Sequence, residues 1–151
     1  MKERAHQLKT TYDQKEKDVV EVAHGDKGFW KLNDSLKKQE DYVYNIKWVS
    51  QVRPENLISR KKYIKKGVDI KELVRYDDET KSNVHKWLKI SPHMRKIEND
   101  GVAMSIIDDS EVMVGLIKSN TTLLIRDAHF AKVMKKLFLE TYKHAKEIKK
   151  S

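Results

Sequence analysis

Short β-branched and aromatic runs alternate with single helical segments of about a dozen residues along most of this chain. A strand–helix–strand connection of that length returns the second strand parallel to the first and lays the helix on the sheet. The chain has 151 residues, which fits one domain with a core of its own. No internal repeat and no low-complexity segment interrupts the pattern.

Asp18 to His24, with Val19, Val20 and Val22, predicts a first strand closed by Gly25. Asp26 is placed to cap a helix to about Gln39 that turns Phe29, Trp30, Leu32 and Leu36 inward. Tyr42 to Ser50 predicts a strand, and Pro54 a helix start, where its missing N–H is harmless. That helix runs to Lys66, buries Leu57, Ile58 and Ile64, and stops at Gly67. Val68 to Tyr76 predicts a strand, Asp77 and Asp78 a turn and cap, and Glu79 to Ile90 a helix with Val84, Trp87 and Leu88 inward. Ser91-Pro92 breaks it, and Met94 to Glu98 predicts a short strand. Val102 to Ile107 and Glu111 to Ile117 form the clearest hairpin, turned by Asp108-Asp109-Ser110. Thr121 to Ile125 is a further strand, and Asp127 opens the last helix. Phe130, Val133, Met134, Leu137, Phe138, Tyr142, Ala145 and Ile148 share one face of it and predict core. Residues 2–17 are polar, with Ala5, Leu8 and Tyr12 three and four apart, a thin stripe that suits a seam with a partner better than a globular core. The fold class that follows is α/β: a mixed, largely parallel sheet flanked by helices, with an N-terminal helix and a long C-terminal one.

Net charge is +9, from 32 Lys+Arg against 23 Asp+Glu, and such an excess gathers polyanions. Two runs hold much of it: Arg60, Lys61, Lys62, Lys65 and Lys66, and Lys143 to Lys150. They read either as solvated helix faces or as nucleic-acid contacts. Hydrophobic residues, 38% of the chain, fall in ordered periodic segments, so a folded domain with a charged surface is expected. The absence of cysteine removes any disulfide framework or thiolate metal site and fits a reducing cytoplasm. No apolar run approaches the roughly 20 residues that span a bilayer. Met1 to His6 is polar with no apolar signal core behind it, so a cytoplasmic protein without a membrane partner is expected.

Lys65-Lys66-Gly67-Val68-Asp69-Ile70-Lys71 resembles a step in phospholipase-D-like domains, where a helix ends in Gly and a parallel strand follows at once. Val102 to Gly115 resembles the strand–turn–strand that comes after it. Phe130, Leu137-Phe138, Tyr142 and Ala145 resemble the close of TrmB-like archaeal transcription regulators, with Tyr142 where those usually carry Trp. The resemblance implies a phospholipase-D-like sensor domain over residues 18–151 and a helical linker, a candidate dimer contact, over 1–17.

It also speaks to chemistry. Active phospholipase-D-like enzymes carry His-x-Lys-(x)4-Asp on the first hairpin strand; the His takes the phosphoryl group and the Lys neutralises its charge. Counting back from Asp108 puts Gly101 at the His position and Ala103 at the Lys position. Neither side chain can attack or hold a phosphate, so the resemblance implies the fold without the catalysis. His93-Met94-Arg95 with Asp100 has the spacing of a variant with Arg for Lys, a substitution that is not neutral at a phosphate. Pro92 precedes it and Asn99-Asp100-Gly101 reads as turn, so a surface loop is the better account.

TrmB-like proteins join a winged-helix DNA-binding domain, a helical linker and an effector domain that binds small molecules such as sugars and helps form dimers. By resemblance, then, this is a non-catalytic regulatory domain and a homodimer. It reaches DNA directly or through an upstream winged helix, and takes a small-molecule effector. The winged helix is not in these 151 residues: it precedes them in a longer chain, or this is a stand-alone descendant. Two other readings stand beside it. One is a basic nucleic-acid-binding protein acting alone through Arg60 to Lys66 and the tail; the other is a phosphodiesterase or nuclease of phospholipase-D type.

The six histidines, His6, His24, His85, His93, His129 and His144, form no i, i+4 pair beside an acid, so no helical zinc site and no cofactor are implied. Gly25-Asp26-Lys27-Gly28 is too short for a phosphate loop. His24, ending a strand, is placed to face a sheet-end crevice of the kind that binds ligands in α/β folds. Trp48 shares a strand with Tyr42, Tyr44 and Ile46; core packing is its default and stacking on a base the sharper alternative. With Asp108, these two are the ligand-binding candidates.

Overall fold

The computed structural model describes residues 19–149; the helix predicted over 2–17 lies outside the described residues. The elements are β1 (Val20–His24), α1 (Gly25–Asp34), β2 (Tyr42–Lys47), α2 (Pro54–Lys65), β3 (Asp69–Val74), α3 (Lys81–Leu88), β4 (Met94–Lys96), β5 (Val102–Ile107), β6 (Glu111–Leu116), β7 (Thr121–Ile125), α4 (Ala128–His144) and β8 (Lys146–Glu147). The strands form one open sheet in the order β1-β7-β6-β5-β2-β3-β4-β8.

β2, β3 and β4 pair in parallel, as single-helix crossovers require. β1 points the same way, since an even number of antiparallel steps through β7, β6 and β5 separates it from β2. The sheet is mixed and helix-flanked as expected, yet most neighbouring pairs are antiparallel rather than parallel. The crossover fixes the sense of a returning strand, not how many strands it steps over, and here β5, β6 and β7 lie between β1 and β2.

Alternation along each strand divides the core between two faces. Tyr42, Tyr44, Leu73, Ile106 and Val112 pack under α4 through Ala131 and Phe138. Tyr44 stacks on Phe138 with ring centroids 5.1 Å apart. On the other face Leu32 of α1 meets Met113 and Leu124, while Val84, Trp87 and Leu88 of α3 meet Val74 and Met94. α1 lies so close to β1 that a Cβ on Gly28 would come within 2.8 Å of the Ala23 Cβ.

Several boundaries differ from expectation for local reasons. α1 stops at Asp34 rather than Gln39, where the Ser35 hydroxyl donates to the Leu32 carbonyl at 2.7 Å, and Asp26 sits in its first turn rather than at its cap. β2 ends at Lys47, and Ser50 beyond it adopts a left-handed φ of 57°. α4 ends at His144: Ala145 is extended, and the chain turns back so that β8 pairs with β4. Ala145 and Ile148 therefore pack from beyond the helix.

Ile58 and Ile64 of α2 are 57% and 39% exposed instead of buried. α2 turns Leu57, Arg60 and Tyr63 toward the sheet, and Ile58 lies opposite Arg60 on the wheel. Val133 and Leu137 of α4 are likewise exposed rather than core, at the flank of the helix.

The Asp108–Asp109 turn has left-handed backbone at both residues, and the Ser110 N–H returns to the Ile107 carbonyl at 2.9 Å. The Asp108 carboxylate accepts the N–H groups of Glu40, Asp41 and Tyr42 at 2.7–2.8 Å. Its work is to anchor the chain entering β2.

Candidate functional site

The insertion of β5 and β6 leaves part of one sheet face uncovered. α1 packs over β7 and β1, and α2 over β2 and β3. Between them runs a cleft of about 830 Å³. Its floor is built of small or polar residues: Asn45, Ala103, Ser105, Gly115 and Thr122. Ala103 and Gly115 face each other across β5 and β6, where a Cβ on the glycine would stand 3.4 Å from that of the alanine. Phe29 and Trp30 of α1 and Ser59 and Tyr63 of α2 form the walls.

Under the α2 side lies a buried charge cluster that sequence reading missed. Glu72 of β3 has no solvent exposure. Its carboxylate accepts from Arg60 at 2.7 Å, Lys47 at 3.0 Å, Asn45 at 3.1 Å and Ser91 at 3.3 Å. The Ser105 hydroxyl donates to Asn45 at 2.7 Å and carries the network onto the cleft floor. Lys47 also lies 3.9 Å over the Trp87 ring, and the Arg60 guanidinium 5.0 Å over it. Burial alone would raise the Glu72 carboxyl, but the Arg60 and Lys47 charges hold it at about 2. Burial pushes the Lys47 ammonium down against the pull of Glu72, which it shares with Arg60. One signal was available: Ile70-Glu72-Val74 and Val43-Asn45-Lys47 are alternate positions of central strands, where buried parallel strands normally read as unbroken apolar runs.

The residues singled out from sequence go to different places. Arg60 is turned inward, with only 12% of its side chain exposed, and is not part of the basic surface. Lys61, Lys62, Lys65 and Lys66 are exposed on α2. Trp48 lies just past β2 at the cleft, with Arg75 stacked 3.6 Å over its ring. His24 is exposed, its Nδ1 3.4 Å from the Thr121 hydroxyl, and does not line the cleft. Asp108 sits at the far end of β5 from Gly101, engaged as described.

Gly101, which the resemblance sets at the histidine position of phospholipase-D-like enzymes, has a φ of +111°. Ala103 offers the cleft a methyl group. The string from His93 to Asp100 does not converge. His93 is exposed, Arg95 donates to the Tyr142 carbonyl at 2.7 Å, and Asp100 pairs with Lys118 at 3.1 Å.

No family model matches the sequence, and no curated protein matches it significantly. Solved structures do. TrmBL2, described as an archaeal chromatin protein with a novel mode of DNA binding, is similar over 97% of this chain with a TM-score of 0.66 and 17% identity. This chain spans 65% of the length of that one. The phospholipase D family member Nuc from Salmonella typhimurium is similar over 86% of this chain and 97% of its own, with a TM-score of 0.65 and 13% identity. NucT from Helicobacter pylori is similar over 85% and 98%, again at 0.65 and 13%. At such identities the likeness establishes the fold, which is phospholipase-D-like.

Glu72→Met leaves Lys47 and Arg60 buried without a counter-charge and should cost about 3–5 kcal/mol in urea unfolding. In the wild type the Glu72 carboxyl is depressed from an ordinary 4.5 to about 2. The stability it confers is therefore full above about pH 4.5 and disappears as pH falls toward 2. A stability–pH profile with no difference between Glu72→Met and wild type across that window would contradict this account.

Proposed function

We propose that this chain is a non-catalytic regulatory domain in which the cleft takes a small-molecule effector and couples it to DNA binding, as in TrmB-like regulators. The observation that carries this reading is the strand that the resemblance matches to the catalytic motif: Gly101 stands just before it and Ala103 on it, not an imidazole and an ammonium, and Ala103 lines the cleft. The fold shared with TrmBL2, a DNA-binding chromatin protein by its description, supports the link to DNA. Coupling is a population shift: an effector that binds one arrangement of the domain better biases that arrangement and the DNA affinity that goes with it.

The same proposal includes a homodimer formed through β1. β1 is an edge strand with neither proline nor lysine, and Val20 and Val22 stand 50% and 54% exposed on one face. An antiparallel second copy centred on Val22 sets Val22 against its counterpart, Val20 against His24 and Glu21 against Ala23, so no like charges meet.

A second reading rests on the exposed Lys61, Lys62, Lys65 and Lys66, which give α2 a cationic outer face suited to phosphate backbone. On this reading the chain binds nucleic acid alone.

Three measurements check these readings. Purified protein should hydrolyse no phosphodiester, and activity abolished by His93→Ala would restore the enzymatic reading. Val22→Lys should convert a dimer to a monomer in sedimentation equilibrium while leaving the melting temperature within a few degrees; a monomeric wild type refutes the β1 seam. If α2 contacts DNA, Lys61→Glu with Lys65→Glu should weaken binding and flatten the slope of log affinity against log salt by about two. An unchanged slope removes α2 from the interface.

A further inference from the structure

We propose that the ligand of the cleft is a small organic anion whose carboxylate or phosphate sits on Lys47, Arg60 and Ser50; this rests on the reading of the cleft as an effector site. All three residues line it. They come from β2, the loop after it and α2, not from the hairpin strand that carries the phosphate-binding motif of related enzymes.

Charge and hydrogen-bond capacity lead to this assignment. Glu72 is one carboxylate between two basic side chains, Lys47 and Arg60, which are only 16% and 12% exposed, so the corner is rich in donors and short of counter-charge. Arg60 uses Nη1 for Glu72 and Ser91, leaving its Nε and Nη2 without a hydrogen-bond partner among the described residues. Lys47 gives one bond to Glu72 and has further N–H groups to offer. Ser50 is 4% exposed, and its hydroxyl has no partner among the described residues. A buried orphan hydroxyl in a left-handed residue is costly unless something uses it. The Ser50 carbonyl accepts the Trp87 indole N–H at 3.1 Å, which ties it to the ring that Lys47 covers.

The carboxylates at this corner and the Asn45 oxygen are already engaged. Glu72 receives four donors, the Asn45 oxygen receives Ser105, and Glu55 is held by Arg53 at 2.6 Å. A neutral polyol offers only uncharged acceptors to this surplus of donors. An anion needs only donors. Phe29, Trp30 and Tyr63 on the walls suit an apolar or ring-bearing body.

The test titrates the full chain with benzoate, phenyl phosphate and benzyl alcohol, three probes with one ring and different heads. Ionic strength is fixed, and indole fluorescence and backbone amide resonances are followed. At least one anion should bind saturably and about tenfold or more tighter than benzyl alcohol, shifting the amides of Lys47, Ser50 and Arg60. Preference for phenyl phosphate assigns a phosphate ester, and preference for benzoate a carboxylate. Ser50→Gly keeps the left-handed backbone and removes the hydroxyl; it should weaken the anion severalfold without lowering thermal stability. Equal affinity for benzyl alcohol, or indifference to Ser50→Gly, overturns the anion assignment and leaves the cleft as a site for some other effector. If none of the three probes moves any cleft amide, the cleft is not an effector site and this proposal falls with it.

Discussion

The buried Glu72 carboxylate sets the arrangement of everything on the cleft side of the sheet. An isolated charge in that position is prohibitively unfavourable, so β3 folds there only if its partners arrive together. Those partners come from three other places: Lys47 and Asn45 from β2, Arg60 from α2, and Ser91 from the turn before β4. One residue thus fixes the register of the two central strands, the height of α2 above them and the path of the chain into β4. It also sets the rotation of α2. With Arg60 drawn inward, Lys61, Lys62 and Lys65 point outward, so the cleft wall and the cationic surface share one cause.

The cleft itself is a product of topology. Three helices lie on one face of an eight-stranded sheet, α1 over β1 and β7 and the other two over β2, β3 and β4, so that the Ala103–Ser105 stretch of β5 and Gly115 of β6 stay uncovered there. On the opposite face α4 crosses those same strands and buries their alternate residues, so the sheet is well packed beneath an open top. Stability can come from the α4 side, through Tyr42, Tyr44, Ile106 and Phe138, while the other side keeps Ala103, Ser105 and Gly115 small or polar. Pleat alternation lets one strand serve both ends without conflict.

Much of this was legible in order and period. The β-α-β-α-β-α succession, the Asp108 turn, the Asp127 cap with its 2.8 Å bond to the Phe130 N–H, and the burial of Val84, Trp87 and Leu88 all follow from local chemistry. Strand adjacency did not follow, because crossover sterics fix direction and not neighbours. The burial of Ile58 and Ile64 was misjudged because periodicity counts apolar residues, and a helix whose inward centre is an arginine defeats that count. Of the site, the sequence placed Gly101 and Ala103 at the motif positions only through the family resemblance. Glu72 and Arg60 were not legible, because their meaning depends on a contact between residues 12 apart on different elements. The polar break in the apolar face of β3 was the trace they left.

Gly101 has one more consequence. Its φ of +111° belongs to a region that side-chain-bearing residues rarely enter. The conformation is held from outside: the Asn99 side chain accepts the N–H groups of Gly101 and Val102 at 3.0 and 2.9 Å and donates to the Val102 carbonyl at 2.7 Å. The entry to β5 is therefore built around a residue without a Cβ. A side chain placed there would be strained in a backbone that the Asn99 hydrogen bonds hold in this region at the start of the strand that floors the cleft.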